Sequence, residues 1–219
     1  MSSNRVTTVL APVLTFAGPG DVSAAEDRES PQVRALVEAA KAGDREAFGD
    51  LVTLHEQAVF RTALAALGQR ADAEDVAQDA FVVAWTKLPG FRGDSMFRTW
   101  LLTIVWRKAL DRRRQTQTWW RRTRAASTPN DATPADPFEG LAIEAADPER
   151  HAVSRDLADR ARAEIQRLSP KLRDTLLLAT SGEHSYEQIA GMLGVPLGTV
   201  KWRVAEARRI LTRRLAVTR

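Results

Sequence analysis

The segment "HSYEQIAGMLGVPLGTVKWRVAEARR", residues 184–209, predicts two helices joined by a tight turn. Ser185 and Gln188 have the spacing of a capping box, in which each side chain satisfies a backbone N–H at the start of a helix. Gly194 supplies the residue that can take a positive φ where this helix ends. Thr199 is predicted to cap the second helix. Two helices joined by a short glycine-bearing turn are typical of a helix-turn-helix, whose last helix enters the major groove of DNA.

The second helix of this pair is basic on its outer side. Its apolar residues recur at helical spacing and predict a buried stripe, which consists of Val200, Val204, Ala207 and Leu211. Lys201, Trp202, Arg203 and Arg209 lie outside that stripe. A basic helix can be a merely solvated surface, but the capped turn before it favours contact with DNA. An outward tryptophan is costly to leave in water, so Trp202 is predicted to contact a DNA groove, the DNA backbone or another protein.

The composition limits the classes of protein to which the chain can belong. Its 219 residues, 44% of them hydrophobic, allow one large domain or two small ones. The absence of cysteine excludes disulfides, thiolate zinc sites and cysteine nucleophiles. The three histidines, His55, His151 and His184, are far apart in sequence, so we expect no metal site and no cofactor.

Helical periodicity without strand-like alternation predicts an all-α fold with two small helical domains joined by a flexible acidic linker. The linker is identified by four prolines, several acids and no base between residues 125 and 148. An apolar stretch follows Arg5 but is interrupted by Pro12, so we expect no secretory signal. No run approaches the ~18 apolar residues of a membrane span. The predicted organisation is a disordered extension (1–29), a first helical domain (30–118), the linker (119–148) and a second helical domain (149–219).

The stretch "DAEDVAQDAFVVAW", residues 72–85, predicts a helix with an acidic outer face. Asp75, Gln78 and Asp79 share one side at spacings of three and four, whereas Val76 and Ala80 lie on an apolar side. Paired carboxylates could serve acid–base catalysis, but no second catalytic residue type accompanies them. A docking face for a basic partner is favoured, and a plain solvated face is the alternative.

The next stretch, "FRGDSMFRTWLLTIVWRKALDRRR" at residues 91–114, interleaves aromatic and basic residues. Unpaired bases stack on aromatic rings beside a basic track, so this mixture favours single-stranded DNA. The alternative is that Phe97, Trp100 and Ile104 belong to the core. The loop over residues 91–94 is the part that we expect to contact bases.

These segments resemble the sigma-70 family of bacterial transcription factors, in its compact extracytoplasmic-function (ECF) group. Residues 72–85 and 91–101 resemble sigma region 2, and residues 168–211 resemble sigma region 4. The resemblance implies a non-catalytic specificity subunit of RNA polymerase that acts in the cytoplasm, away from membranes. It also implies core RNA polymerase and promoter DNA as partners, and leaves an anti-sigma factor open as a further one.

The resemblance implies three sets of contact residues. The set that docks on the coiled coil of the RNA polymerase clamp is Asp75, Gln78 and Asp79. The set at the minus-10 element is Phe91, Arg92, Gly93, Asp94, Ser95, Arg107, Lys108 and Arg112. The set at the minus-35 element is Thr199, Lys201, Trp202, Arg203 and Arg209.

The chain departs from the family pattern at three of its contact positions. Trp202 replaces a small residue, Glu206 replaces a basic one, and Arg107 replaces an asparagine. Trp119, Trp120 and the first 30 residues match nothing in the family pattern.

Three other functions compete with this interpretation. A stand-alone helix-turn-helix regulator would bind a palindromic site as a dimer, and it leaves the acidic face without a role. A sigma mimic that titrates an anti-sigma factor would not need the basic last helix. A nuclease would need clustered carboxylates for its metal, and the basic track offers only Asp94 and Asp111.

Overall fold

A computed structural model describes residues 29–126 and 159–217. The chain divides into two compact units, and we call their described parts the N-unit (29–126) and the C-unit (159–217). Both consist of helices and connecting turns, and neither described range contains a strand. The predicted all-α fold is therefore confirmed.

The N-unit is a bundle of four helices whose starts and turns follow sequence signals. The Ser30 hydroxyl accepts the N–H of Val33 at 3.2 Å to cap the first helix. Asp44 caps the second helix by accepting two backbone N–H groups. That helix ends at Gly68, whose φ of 76° is easy only for glycine. The bounds are α1 Pro31–Lys41, α2 Arg45–Leu67, α3 Arg70–Lys87, a 3₁₀ turn Leu88–Gly90 and α4 Phe97–Ala126.

The core of the N-unit lies between α2, α3 and α4, and α1 covers α2. Small residues of α3 allow close approach of the neighbouring helices, and larger side chains of α2 and α4 fill the space between them. Trp106 and Phe97 are the largest fully buried side chains. The predicted apolar side of α3 is confirmed, because Val76, Ala80 and Ala84 are all buried.

The fourth helix is longer than the sequence indicated. The predicted linker begins at residue 119, but α4 continues to Ala126 because neither glycine nor proline interrupts it before Pro129. Its first turn also has a distant partner: the N–H of Phe97 donates to Oε1 of Glu29 at 2.6 Å. A carboxylate satisfies an otherwise unpaired N–H there and is favoured by the helix dipole. The rest of the predicted linker, 127–148, and residues 1–28 and 149–158 lie outside the described residues.

The C-unit contains a helix-turn-helix, formed by its last two helices, α7 and α8. The helices of the C-unit are α5 (159–166), α6 Pro170–Thr180, α7 Tyr186–Leu193 and α8 Leu197–Val217. The capping box of α7 is confirmed: the Gln188 N–H donates to the Ser185 hydroxyl at 3.2 Å, and the Ser185 N–H donates to the Gln188 side-chain oxygen at 3.0 Å. Gly194 ends α7 with a φ of 63°, as predicted. α8 packs on both α6 and α7, which fixes its direction relative to the turn.

The predicted cap of α8 is wrong. Thr199 lies inside the helix, which begins two residues earlier at Leu197. The carbonyl of Pro196 accepts the N–H groups of Thr199 (2.9 Å) and Val200 (3.3 Å) and so closes the first turn. The N–H groups that a cap at Thr199 would have satisfied, at residues 201 and 202, lie further inside the helix, where carbonyls of the preceding turn accept them.

Candidate functional site

An acidic face lies on the outer side of α3. The side chains of Asp75 and Asp79 are 71% and 67% exposed, and Gln78 between them is exposed as well. Val76 and Ala80 point the other way, into the core. Val82, one turn further along the exposed side, is 67% exposed. The predicted docking residues are therefore accessible together and have an apolar neighbour.

Two basic residues of α4 pair with this acidic face. Nζ of Lys108 lies 2.9 Å from Oδ2 of Asp79. Arg112 donates from Nη2 and Nε to Oδ1 of Asp72, at 2.7 and 3.1 Å, and lies 4.0 Å from a carboxylate oxygen of Asp75. The hydrogen bond to Asp72, together with that residue's charge, raises the pKa of Arg112. We call these five residues the α3–α4 ion-pair cluster.

Sequence reasoning missed this cluster. It assigned the acids to one partner and Lys108 and Arg112 to another, whereas the structure brings the two sets into contact. Arg107 lies outside the cluster and is exposed to solvent. An opposite-charge pattern on two consecutive helices was the available signal, but it does not reveal which helix faces will meet.

The loop between α3 and α4 presents polar residues above a cluster of packed aromatic side chains. Arg92, Gly93, Asp94 and Ser95 are all exposed, and Gly93 has a φ of 78°. Phe91 is instead buried, with its ring centroid 5.0 Å from that of Trp100 and 6.1 Å from that of Phe97. The structure thus places Phe91 in the packing beneath the loop, whereas the sequence grouped its ring with the base-contacting residues. Tilted and edge-on aromatic pairs of this kind stabilise the packing beneath the loop.

His55 belongs to the same aromatic packing. Its ring lies 5.6 Å from the Phe97 ring, at the N-terminal end of α4. The side chain is buried, and among the described residues Nε2 has no hydrogen-bond partner. Burial, and secondarily the positive charge of Arg98, lowers the pKa of His55 from 6.5 to about 4.

Acidification is expected to destabilise the N-unit through His55. Between pH 6.5 and about pH 4 the unfolded chain binds a proton that the folded unit excludes, so the free energy of unfolding falls as the pH falls. The full effect is at most about 3.5 kcal/mol, from a shift of about 2.5 pKa units at about 1.4 kcal/mol per unit. Urea unfolding can be followed by tryptophan fluorescence, since five of the six tryptophans precede residue 126. His55→Met should flatten the pH dependence, and an unchanged slope in that variant would contradict the assignment.

The outer side of α8 carries the residues predicted to contact the major groove. The buried stripe is confirmed, because Val200, Val204, Ala207 and Leu211 are at most 2% exposed. Lys201 is exposed, and Trp202 is 62% exposed, which confirms its outward direction. Arg203 and Thr199 are half-buried at the flanks of this surface.

A second ion pair lies further along α8. Arg209 donates from Nε and Nη2 to the two carboxylate oxygens of Glu206, at 2.8 and 2.7 Å. These hydrogen bonds lower the pKa of Glu206 and raise that of Arg209. Arg209 was predicted to contact DNA, and the geometry adds that a carboxylate already occupies its guanidinium fork.

Neither a metal-binding cluster nor a membrane-spanning helix is found in the described part of the chain. Within residues 29–126 and 159–217, no group of three or more histidines and acids could hold a metal ion. In the same ranges, no helix is long and apolar enough to cross a membrane.

Two family models match the chain, one in each unit. The model of sigma-70 region 2 matches residues 51–119, and the model of sigma-70 region 4 matches residues 158–211. The first match contains α3 and most of α4, and the second contains α7 and most of α8. The acidic face and the basic last helix thus each lie in a matched region.

Curated relatives extend over most of the chain. The ECF RNA polymerase sigma-E factor of Escherichia coli K12 is 33% identical over 178 residues, which are 80% of this chain and 90% of the relative. The ECF RNA polymerase sigma factor SigW of Bacillus subtilis is 28% identical over 184 residues, 84% of this chain and 96% of the relative. Each relative is therefore matched over nearly its whole length.

Two solved structures share the fold. CnrH in complex with the cytosolic domain of CnrY is 26% identical with a TM-score of 0.59, covering 86% of this chain and 99% of that one. The sigma factor RpoE of Bartonella quintana, in complex with the anti-sigma factor NepR, is 25% identical with a TM-score of 0.54, covering 78% and 98%.

Proposed function

Since the chain belongs to the sigma-70 family of RNA polymerase sigma factors, in its ECF group, we propose that its two units hold a promoter at two points. The N-unit binds core RNA polymerase and opens the minus-10 element, and the C-unit binds the minus-35 element. One observation supports this division of roles. The N-unit has an exposed acidic face, and the C-unit has a helix-turn-helix with an exposed basic surface.

Asp75, Gln78 and Asp79 form the polymerase-docking face. Their exposure on one side of α3 suits a basic partner such as the coiled coil of the polymerase clamp. Exposed Val82 adds an apolar contact beside the charges. A cation of the partner that binds Asp79 competes with Lys108, so docking weakens the ion-pair cluster and frees a basic residue of α4.

The minus-10 contacts divide into two groups. Arg92, Gly93, Asp94 and Ser95 in the loop, with Arg107 on α4, are directly accessible to an opened strand. Lys108 and Arg112 reach DNA phosphates only when they leave the acids of α3. Phe91 supports the loop from below. Extruding a DNA base costs a few kcal/mol of unstacking. A loop held in place by the aromatic packing beneath it helps to offset that cost.

The minus-35 contacts come from α8. Lys201 and Trp202 face the groove, Arg203 and Thr199 contact its edges, and Arg209 lies further along the helix. Glu206, which holds Arg209, can accept a hydrogen bond from a cytosine amino group. Trp202 and Glu206 are thus the positions at which this chain sets its own promoter preference.

Neither unit alone accounts for tight and specific binding. A single small DNA-binding module makes few contacts, and its phosphate contribution falls with salt. Attachment of both units to polymerase makes the second contact intramolecular once the first is formed. Specificity is thus a property of the holoenzyme, and we place it in the cytoplasm, with the chain as a subunit that catalyses no reaction itself. An anti-sigma factor is a further partner, because the RpoE relative was solved with one.

In vitro transcription tests this function directly. The full chain mixed with core RNA polymerase and a promoter library should give template-dependent transcripts whose start sites share two upstream elements at a fixed spacing. If no promoter responds and no complex with core forms, the proposal fails. Protection of a palindromic site without polymerase would instead support a dimeric helix-turn-helix regulator.

A further inference from the structure

The distal part of α4, residues 111–126, extends beyond the core of the N-unit. Ala109 is the last of the buried residues of α4 whose side chains the structure describes. From Asp111 to Trp119 every side chain is exposed except that of Arg113, which is half-buried. At ~1.5 Å per residue the segment projects about 25 Å past Ala109. The side chains at positions 111–118 are all polar, and a helix that is polar all round gains little from packing, so a partner that covers this part of α4 would stabilise it.

The charge of distal α4 identifies the class of that partner. The segment contains six arginines, at positions 112, 113, 114, 121, 122 and 124, and a single acid, Asp111. Asp111 pairs with Arg114 at 2.6 Å, and the Arg114 side chain remains 72% exposed. Trp119, in the same segment, is 57% exposed. A basic surface with an aromatic residue suits a polyanion with apolar sugar surface, that is, a nucleic acid.

Three of the arginines of α4 fall on one line. Arg107, Arg114 and Arg121 are each seven residues apart, which is close to two helical turns. Their successive Cα atoms are therefore about 10 Å apart along the helix, with little rotation around its axis. Arg107 is exposed and belongs to the proposed minus-10 contacts. The line thus begins at the proposed minus-10 site and continues away from it along the helix.

We propose that distal α4 binds the sugar–phosphate backbone of the duplex spacer between the minus-10 and minus-35 elements, without reading bases. This inference rests on the proposed function. The order of the chain supports it, because distal α4 follows the minus-10 unit and precedes the minus-35 unit, as the spacer does between the two elements. Arg114 and Arg121 bind phosphates, and Trp119 packs on deoxyribose.

Salt dependence of holoenzyme binding to a promoter fragment tests the proposal. In Arg114→Ala/Arg121→Ala, the slope of log affinity against log salt should fall by about 0.9 for each phosphate that the holoenzyme no longer neutralises. The matched control, Arg34→Ala/Arg45→Ala, removes two arginines that the N-unit also presents to solvent and should leave the slope unchanged. Asp111→Asn, which releases Arg114, should strengthen binding, whereas a folding defect would weaken it. Equal slopes in the double variant and the wild type would overturn the proposal.

Crosslinking locates the contact. A photoreactive residue at the exposed position of Gln117 should crosslink to spacer DNA in the promoter complex. A crosslink to a polymerase subunit in place of DNA would overturn the proposal, as would no crosslink in a complex that transcribes. If no holoenzyme forms at all, the proposed function fails. A holoenzyme that transcribes but gives neither the slope change nor the DNA crosslink refutes only the role of distal α4.

Discussion

Asp75→Arg combined with Asp79→Arg is expected to abolish binding of the chain to core RNA polymerase. Both carboxylates are largely exposed on one side of α3, so the substitution presents two cations to a basic partner. Like charges across an interface cost several kcal/mol, and removal of close ion pairs adds to that cost, so affinity should fall by roughly a hundredfold or more. Pull-down or fluorescence anisotropy with core polymerase measures the decrease.

The same substitution should leave the N-unit folded. It removes the pairing of Asp79 with Lys108 and brings like charges together there, but exposed ion pairs contribute only about 0–1 kcal/mol each. Asp50→Arg/Glu56→Arg is a matched control, because it reverses two exposed acids of α2. The control should bind core normally. The full-length Asp75→Arg/Asp79→Arg variant should keep its affinity for a minus-35 duplex. Normal core binding by this variant would contradict the assignment of Asp75 and Asp79 to polymerase docking.

The parts of the structure that were predictable from sequence are those determined by neighbours along the chain. The capping box of Ser185 and Gln188, the positive φ of Gly194 and the buried stripe of α8 each depend on residues within a few turns of helix. Exposure of Asp75, Gln78 and Trp202 follows from the same periodicity.

The parts that were not predictable depend on distant contacts. Glu29 reaches the N–H of Phe97 across 68 residues of sequence, and Arg112 reaches Asp72 across 40. No local pattern states which helix faces will meet. Phe91 could not be placed because a loop aromatic is compatible with a base contact or with packing, and the position of Trp100 decides between them.

The error at Thr199 has a different cause. The segment offers two places to start a helix. A cap at Thr199 would accept an N–H two or three residues later, whereas the carbonyl of Pro196 accepts the N–H groups of Thr199 and Val200. The backbone start at Leu197 lengthens α8 and places Thr199 on its first turn, half-buried beside Lys201. Thr199 therefore flanks the proposed groove contacts even though it does not cap the helix.

Lys201→Glu combined with Arg203→Glu is expected to produce the reciprocal defect, which is failure of minus-35 recognition with core binding retained. Both residues lie in the first two turns of α8, the part of a recognition helix that contacts base edges. Each such interaction contributes about 1–3 kcal/mol, so removing two lowers affinity for the minus-35 element by at least roughly 30-fold. Repulsion between the new carboxylates and DNA phosphates weakens binding further.

The readout that separates this effect from misfolding is promoter choice by the holoenzyme. Neither Lys201 nor Arg203 belongs to the buried stripe of α8, so the C-unit should keep its thermal stability. Arg167→Glu/Lys171→Glu reverses two exposed bases of the same unit outside α8 and should transcribe normally. The α8 variant should bind core polymerase with wild-type affinity yet fail on promoters that require the minus-35 element. Undiminished transcription from such promoters would show that α8 is not the minus-35 reader.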